Sequence, residues 1–276
     1  MTQPDRYAVL GNPIKHSFSP EIHQSFARSL GENITYEKLE VPIGGFDAFV
    51  DDLIERGYKG CNITLPFKID AYKYADRLAE RARSCGAANT LVFGSKVTGD
   101  NTDGAGFIAD VTGRLGFEIT GASILVLGAG GGVRGLLPSL LELNPKWIAV
   151  ANRTMARASA LAESFGIDAV PYEETAAEHF DLVINATSTS LSNMAPPVPR
   201  SVLAEAKLAY DLVYSAAPTP FMQLAAEAGA AAVADGLGML VEQAAESYFD
   251  WRGVRPETSG TYKEIRALIE ARARGA

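Results

Sequence analysis

The chain has 276 residues, a net charge of −8 and a pI near 5.0, a balance that argues against a protein tracking a phosphate backbone, which would show a basic face. A hydrophobic fraction of 47% and a mean hydropathy of +0.03 describe an ordinary chain with a full core, long enough for one large or two modest domains. Two cysteines outside any CxxC arrangement, three scattered histidines and no long apolar run speak against a redox pair, a metal site and a bilayer span.

Strand-like and helix-like segments alternate almost from end to end, which predicts an α/β fold with parallel sheets. The N-terminal residues Met1-Thr2-Gln3-Pro4-Asp5-Arg6 show no apolar signal core. A strand is expected at Tyr7–Gly11, then a helix from about Pro20 with Ser19 as its N-cap. Further on come a strand near Thr35–Val41, a helix Phe46–Arg56 and a strand Gly60–Thr64 ending at Pro66. Helices are expected over Lys68–Tyr74 and Leu78–Ser84, and a hairpin around Gly94-Ser95.

A second block opens with a helix near Gly104–Leu115. Its strand Ser123–Leu127 is nearly all apolar, as expected for a strand covered on both faces. The glycines Gly128-Ala129-Gly130-Gly131-Gly132 follow directly, and a helix runs on to about Leu143. Strands are expected at Trp147–Ala151, Leu182–Asn185 and Tyr210–Val213, with helices at Thr154–Phe165 and Phe221–Ala228. Gly236-Leu237-Gly238 opens a long helix to about Trp251, and a last helix covers about Tyr262–Arg274. The boundary is expected near Asp103, with a return to the first block at Gly236–Gly238.

A glycine-rich turn between a buried strand and a helix permits close backbone approach, and the helix N-terminus can hold a pyrophosphate. The third glycine of the usual GxGxxG pattern is replaced by Val133. The same pattern also serves as a plain tight turn. At the end of the next strand, Asn152-Arg153-Thr154 and Arg157 stand where an NAD site carries an acid. Two guanidiniums suit a 2′-phosphate by charge and fork geometry, so NADP is expected over NAD.

Lys68 lies just past a strand end, and Asp103 sits in the turn Asn101-Thr102-Asp103-Gly104. A lone lysine is usually solvated surface, and an aspartate there is often a helix cap. Together, ahead of a dinucleotide cradle, they point to hydride transfer to a carbonyl with proton handling by the pair. Ser17, Ser19, Asn62, Thr64 and Asn89 are polar groups where α/β sheets place ligands. Asn185-Ala186-Thr187-Ser188 and Asp211-Leu212-Val213-Tyr214 follow buried strands of the second block. Met239 and Gln243 lie one turn apart on the long helix, where either can pack as core or face a ligand.

Taken in order, Gly11-Asn12-Pro13-Ile14, His16-Ser17-Phe18-Ser19-Pro20, Asn62-Ile63-Thr64-Leu65-Pro66-Phe67-Lys68, Gly86-Ala87-Ala88-Asn89-Thr90, Asn101–Gly104, Gly128–Gly131, Asn152–Thr154, Asn185–Ser188 and Asp235–Met239 resemble the shikimate dehydrogenase family over nearly the whole chain. The resemblance implies reversible NADPH-dependent reduction of 3-dehydroshikimate to shikimate, in aromatic amino-acid biosynthesis. It implies a substrate domain from residues 1–103 plus 240–276 and a Rossmann-like NADP domain from 104–239. Lys68 and Asp103 would be catalytic. Ser17, Ser19, Asn62, Thr64, Asn89, Tyr214 and Gln243 would contact substrate. Gly128, Ala129, Gly130, Gly131, Asn152, Arg153, Thr154, Arg157, Thr187 and Met239 would contact the cofactor.

Two departures stand out. The stretch Thr187–Ser192 lacks the glycine expected shortly after Thr187-Ser188, and Gly132-Val133 replaces Ala-Ser or Ala-Ala before Arg134. Other readings are a quinate/shikimate dehydrogenase of broader range, a non-catalytic binder of the same metabolite and, less well matched, a folate dehydrogenase on a similar plan. Arg153 and Arg157 argue against NAD-using forms, and a binder needs no proton donor. A monomer or homodimer in the cytoplasm, without metal, nucleic acid or membrane, is expected.

Overall fold

The computed structural model describes residues 3–275. In chain order the elements are β1 (Asp5–Gly11), α1 (Ser19–Leu30), β2 (Ile34–Glu40), α2 (Phe46–Glu55), β3 (Tyr58–Ile63), α3 (Lys68–Tyr74), β4 (Arg77–Leu78), α4 (Glu80–Cys85), β5 (Thr90–Val92), β6 (Thr98–Asp100) and α5 (Asp103–Ile108). They continue with β7 (Ser123–Leu127), α6 (Gly131–Glu142), β8 (Trp147–Ala151), α7 (Met155–Phe165), β9 (Asp168–Ala169), β10 (Leu182–Asn185), α8 (Arg200–Ala204), β11 (Leu208–Asp211), α9 (Pro220–Ala228), β12 (Val233–Asp235), α10 (Leu237–Arg252) and α11 (Ser259–Gly275). The chain divides into two compact units. One holds the residues up to Gly106 with Leu240–Ile265, and the other holds Phe107–Met239 with the residues from Arg266 on.

The first unit is built on a sheet of order β2-β1-β3-β5-β6-β4. Its pairs are parallel except those made by β5, which runs against β3 and β6 and gives the expected hairpin. On one face Ala8, Leu10 and Ile63 pack with Phe46, Val50 and Leu53 of α2 and with Phe67 and Ala71. On the other, Tyr7 stacks on Trp251 of α10 at 4.6 Å, and Phe26 of α1 meets Tyr248 edge-on. β1 therefore buries both of its side-chain rows from Tyr7 on, which is why it reads as a continuous apolar run.

The second sheet is all parallel, of order β12-β11-β10-β7-β8-β9. Alternate residues supply its two cores. Ile124, Val126, Ile148, Val150 and Ile184 face one way with Val133, Leu136 and Leu140 of α6. Leu125, Leu127, Ala149, Ala151 and Val183 face the other, with Val202, Phe221 and Ala225. From β7 the chain winds outward through β8 and β9, then returns to β10 on the opposite side of β7 and winds the other way. This is the Rossmann-like order, and its reversal point lies between β7 and β10.

Three local expectations are corrected. Ser19 is not the N-cap of α1: Phe18 holds that position with no side-chain cap, and Ile22 donates its N–H to the Phe18 carbonyl. The helix expected over Leu78–Ser84 begins only at Glu80, because Arg77 and Leu78 pair with Thr98 and Gly99 as an edge strand. The helix expected through Leu115 loosens into a π-helical stretch at Ala109–Arg114. There the fully buried Asp110 accepts from Tyr210 Oη at 2.7 Å and is paired with Arg114. Its carboxylate fills the space beside Gly238, where a Cβ would lie 1.9 Å from Asp110 Oδ1. An extra residue in a helical turn is a common way to aim such a group.

Candidate active site

In the first unit, β3 ends at Ile63 and the turn to α3 delivers Lys68 as the first helical residue. The turn after β6 delivers Asp103 at the start of α5, its N–H held by the Asn101 side chain at 3.1 Å. Lys68 Nζ lies 2.5 Å from Asp103 Oδ2. Asn89, just before β5, is 2% exposed, and its Nδ2 lies 2.8 Å from Asp103 Oδ1 and 3.1 Å from Gln243 Oε1. Asn89 Oδ1 accepts the Thr102 N–H at 2.9 Å, so the side chain is fixed in orientation. Gln243 reaches this group because α10 passes close to α5. A Cβ on Gly106 would lie 2.5 Å from the Gln243 backbone nitrogen, so that position admits only glycine without a shift.

Asn62 is buried behind this cluster. Its Oδ1 accepts from Tyr36 Oη at 2.7 Å and lies 3.2 Å from His23 Nε2, while its Nδ2 donates to Ser247 Oγ at 2.8 Å and Thr90 Oγ1 at 3.1 Å. Its polar atoms are thus taken up by the protein. Thr64 is half-buried at the strand end, its backbone held by Leu10 and Phe67. Ser17 Oγ accepts the Ser19 N–H at 3.2 Å and donates to Ser19 Oγ at 3.0 Å, which pairs the two hydroxyls on one turn. Ser17, Ser19, Asn62, Thr64, Lys68, Asn89, Asp103 and Gln243 all belong to the first unit, whereas Tyr214 is half-buried in the second.

The ten residues implied for the cofactor lie in the second unit, after the C-terminal ends of its parallel strands. Gly128 has φ +110, and a Cβ there would lie 3.0 Å from the Ala186 carbonyl oxygen, so its own backbone and neighbour require glycine. At Gly130, Gly131 and Gly132 an added Cβ would meet nothing within 4 Å. Nothing in the fold's own packing excludes side chains there, and the open space suits a group lying against the N-terminus of α6. Asn152 Nδ2 donates to the Thr154 carbonyl at 2.9 Å, which shapes the turn into α7. Arg153 and Arg157 are exposed, and neither pairs with a carboxylate among the described residues. Thr187 donates from both N–H and hydroxyl to Asn185 Oδ1, at 3.1 and 2.6 Å. Met239 is half-buried against the sheet's core, its N–H 3.4 Å from Tyr210 Oη. The residues present fit a phosphorylated dinucleotide. Among the described residues no group of three or more metal-ligating side chains occurs, and no helix is long and apolar enough to cross a membrane.

Reading single motifs missed the polar residues that hold the candidates in place. Thr102 and Ser247 are buried, with Oγ1 and Oγ 3.2 Å apart, and Ser247 also touches Asn62 and Thr90. Ser247 follows Gln243 by four residues, so the helical period was the available signal.

Fold and site define a class: two-unit α/β dehydrogenases in which a lysine–carboxylate pair and a glycine-rich strand–turn–helix stand on separate sheets. Comparison with known proteins narrows this. Residues 9–91 match the shikimate dehydrogenase substrate binding domain, 111–206 the shikimate/quinate 5-dehydrogenase model and 236–266 the shikimate 5′-dehydrogenase C-terminal domain. The chain is 52% identical to the shikimate dehydrogenase (NADP(+)) of Chromobacterium violaceum, over 96% of this chain and 99% of that one. Among solved structures, an Ael1 enzyme from Pseudomonas putida is 44% identical with a TM-score of 0.90, covering 95% and 98% of the two chains. The Thermus thermophilus shikimate 5-dehydrogenase, solved with NADP(H) and shikimate, is 36% identical with a TM-score of 0.88, over 95% and 99%. The chain belongs to the shikimate dehydrogenase family.

Proposed function

We propose that this chain catalyses the reversible NADPH-dependent reduction of 3-dehydroshikimate to shikimate in the cytoplasm, serving aromatic amino-acid biosynthesis. In this reading the first unit binds the substrate and the second binds NADP. The observation that carries it is the pair Lys68–Asp103, shared with Asn89, in a family whose relatives bear that activity in their names.

When bound, NADPH supplies the hydride. Arrival of a hydride at a ketone carbon leaves negative charge on its oxygen. Lys68 gives a proton to that oxygen, or holds its charge as an ammonium. Asp103 fixes the ammonium at 2.5 Å, and Asn89 fixes the far carboxylate oxygen. In the oxidative direction the same nitrogen takes the hydroxyl proton. Ser17 and Ser19 hold the substrate carboxylate, with Thr64, Asn89, Gln243 and Tyr214 as further contacts. Asn62, whose own polar atoms are all engaged, acts by holding Thr90 and Ser247 unless a bound substrate displaces one of those bonds. The backbone of Gly128, Ala129, Gly130 and Gly131 would receive the pyrophosphate, with Thr187 beside it. Arg153 and Arg157 would take the 2′-phosphate, with Asn152 and Thr154 beside them, and Met239 would lie on the nicotinamide side.

The test is an absorbance assay of the reduced nicotinamide with shikimate or quinate, each with NADP or NAD. Turnover of shikimate with NADP well above the other three combinations is expected. No turnover in that combination would overturn the reading, and equal rates with quinate would move it to a quinate/shikimate dehydrogenase.

A further inference from the structure

The second unit contains a carboxylate that the mechanism above does not use. Asp211, the last residue of β11, is 0% exposed. Its Oδ1 accepts from Asn185 Nδ2 at 3.1 Å and from the Val213 N–H at 3.0 Å. Its Oδ2 accepts from Ser190 Oγ and Thr219 Oγ1, both at 2.6 Å. All four donors are neutral, and they fill the sites a carboxylate offers.

Three of these donors have plain structural duties. Val213 continues the chain, Thr219 caps α9, and Asn185 ends β10. Ser190 is different. It lies in the 3-10 turn Thr189–Ser192, whose neighbour Leu191 is 74% exposed. The Thr189 hydroxyl bonds back to Thr187 at 2.7 Å, so among the described residues of this turn Ser190 is the one whose side chain ties it to the sheet. Ser190 also lies in the stretch where the family pattern has a glycine, which has no hydroxyl to make such a tie.

We propose that Ser190 and Asp211 form a latch that fixes the Thr187–Ser192 turn in the shape that presents Thr187 to NADP, making Ser190 a positioning residue for the cofactor. This rests on the reading that the second unit holds NADP. The same carboxylate carries Asn185, whose Oδ1 holds Thr187 by two bonds, so one buried group orders both ends of the turn. Without the serine hydroxyl, the first end keeps its anchor and the second loses it.

The experiment compares the wild-type protein with Ser190→Ala, Ser190→Gly and Ser190→Thr. NADP binding is measured by titration calorimetry without substrate, and KM and kcat are measured for both substrates. Loss of one hydrogen bond to a charged group should weaken NADP binding and raise its KM by about tenfold in Ala and Gly. The shikimate KM should not move, and Thr should restore NADP binding; a lower melting temperature in Ala and Gly, from the donor lost by the buried Asp211, is shared by both and is not the readout. Equal NADP binding by wild type and Ser190→Ala would overturn the latch, as would failure of Thr to restore it. Absence of NADP binding in wild type would instead overturn the cofactor reading, and this inference with it.

Discussion

Lys68 Nζ and Asp103 Oδ2 lie 2.5 Å apart although 35 residues separate them, with the two side chains 20% and 9% exposed. A pair this buried is weak evidence for stability, because its desolvation offsets much of the attraction. Held between the start of α3 and the start of α5, with Asn89 on the second oxygen, it is arranged for proton transfer instead. Lys68→Ala should lower kcat by roughly 10²–10⁴-fold, the usual contribution of a positioned acid–base group. The shikimate KM should change much less, because the lost interaction belongs to the transition state. Steady-state kinetics decide this. A variant that keeps more than about a tenth of wild-type kcat would make Lys68 a binding residue.

The exposed guanidiniums of Arg153 and Arg157 carry the cofactor choice. Neither is committed to a carboxylate among the described residues, so both are available to a 2′-phosphate. A hydrogen bond to a charged group is worth about 1.5–3 kcal/mol. Arg153→Ala should therefore raise the NADP KM by about tenfold or more and leave NAD kinetics nearly unchanged. If both cofactors weaken equally, the phosphate assignment fails.

Ser17 and Ser19 share one turn, and the substrate is an anion in a protein of net charge −8. Neutral hydroxyl donors near the motif residues are left to hold its carboxylate. Ser17→Ala should raise the shikimate KM by about tenfold with kcat within a few-fold, since the carboxylate lies away from the reacting carbon. Ser19→Ala should raise KM similarly. Because Phe18 and not Ser19 is the N-cap of α1, its melting point should not show the roughly 1 kcal/mol loss of a removed cap. A fall in kcat alone for Ser17→Ala would place the serine in the chemistry.

Much of this was legible from residue order. The apolar run Ser123–Leu127 leading into glycines announced a doubly covered parallel strand, and β7 is one. A serine before a proline is a strong local cap signal, yet Phe18 and not Ser19 stands at the N-cap of α1. The Ser19 side chain instead turns back to Ser17. The strand Arg77–Leu78 is two residues long and is set by pairing with Thr98 and Gly99, which no local pattern encodes. The support of Asn62 by His23, Tyr36 and Ser247 joins positions up to 185 residues apart, so only the folded chain reveals it. The Asp211 latch was invisible for the same reason: Ser190 read simply as a missing glycine.

The buried His23 and the half-buried Asp250, both in the first unit, titrate in opposition. His23 stacks on Tyr36 at 4.4 Å, and burial pushes its pKa from 6.5 down to about 3. Its Nδ1 has no hydrogen-bond partner among the described residues, so no acceptor awaits a second proton. The unfolded chain binds that proton below pH 6.5 and the folded one does not. His23 thus costs stability as pH falls, at about 1.4 kcal/mol per unit. Asp250 runs the other way. Burial first, then the charge of Asp100, raises its carboxyl from 3.8 to about 7, against the pull of Arg81. The folded state holds its proton where the unfolded state has lost it, so its contribution is present below pH 3.8 and is lost as pH rises toward 7. The depressed carboxyls of Asp76, Asp181, Glu246 and Glu257 act only below about pH 4.5, and the raised, exposed His179 only above 6.5. Between pH 4.5 and 6.5 the two groups should nearly cancel, giving a flat profile of unfolding free energy by urea titration. Asp250→Asn should uncover the His23 slope, with stability rising by about 1.4 kcal/mol per pH unit. His23→Gln should uncover the opposite slope. The gradient is the readout, so a uniform destabilisation by either variant does not confuse it. A flat profile for Asp250→Asn would show that His23 and Asp250 are not the balancing pair.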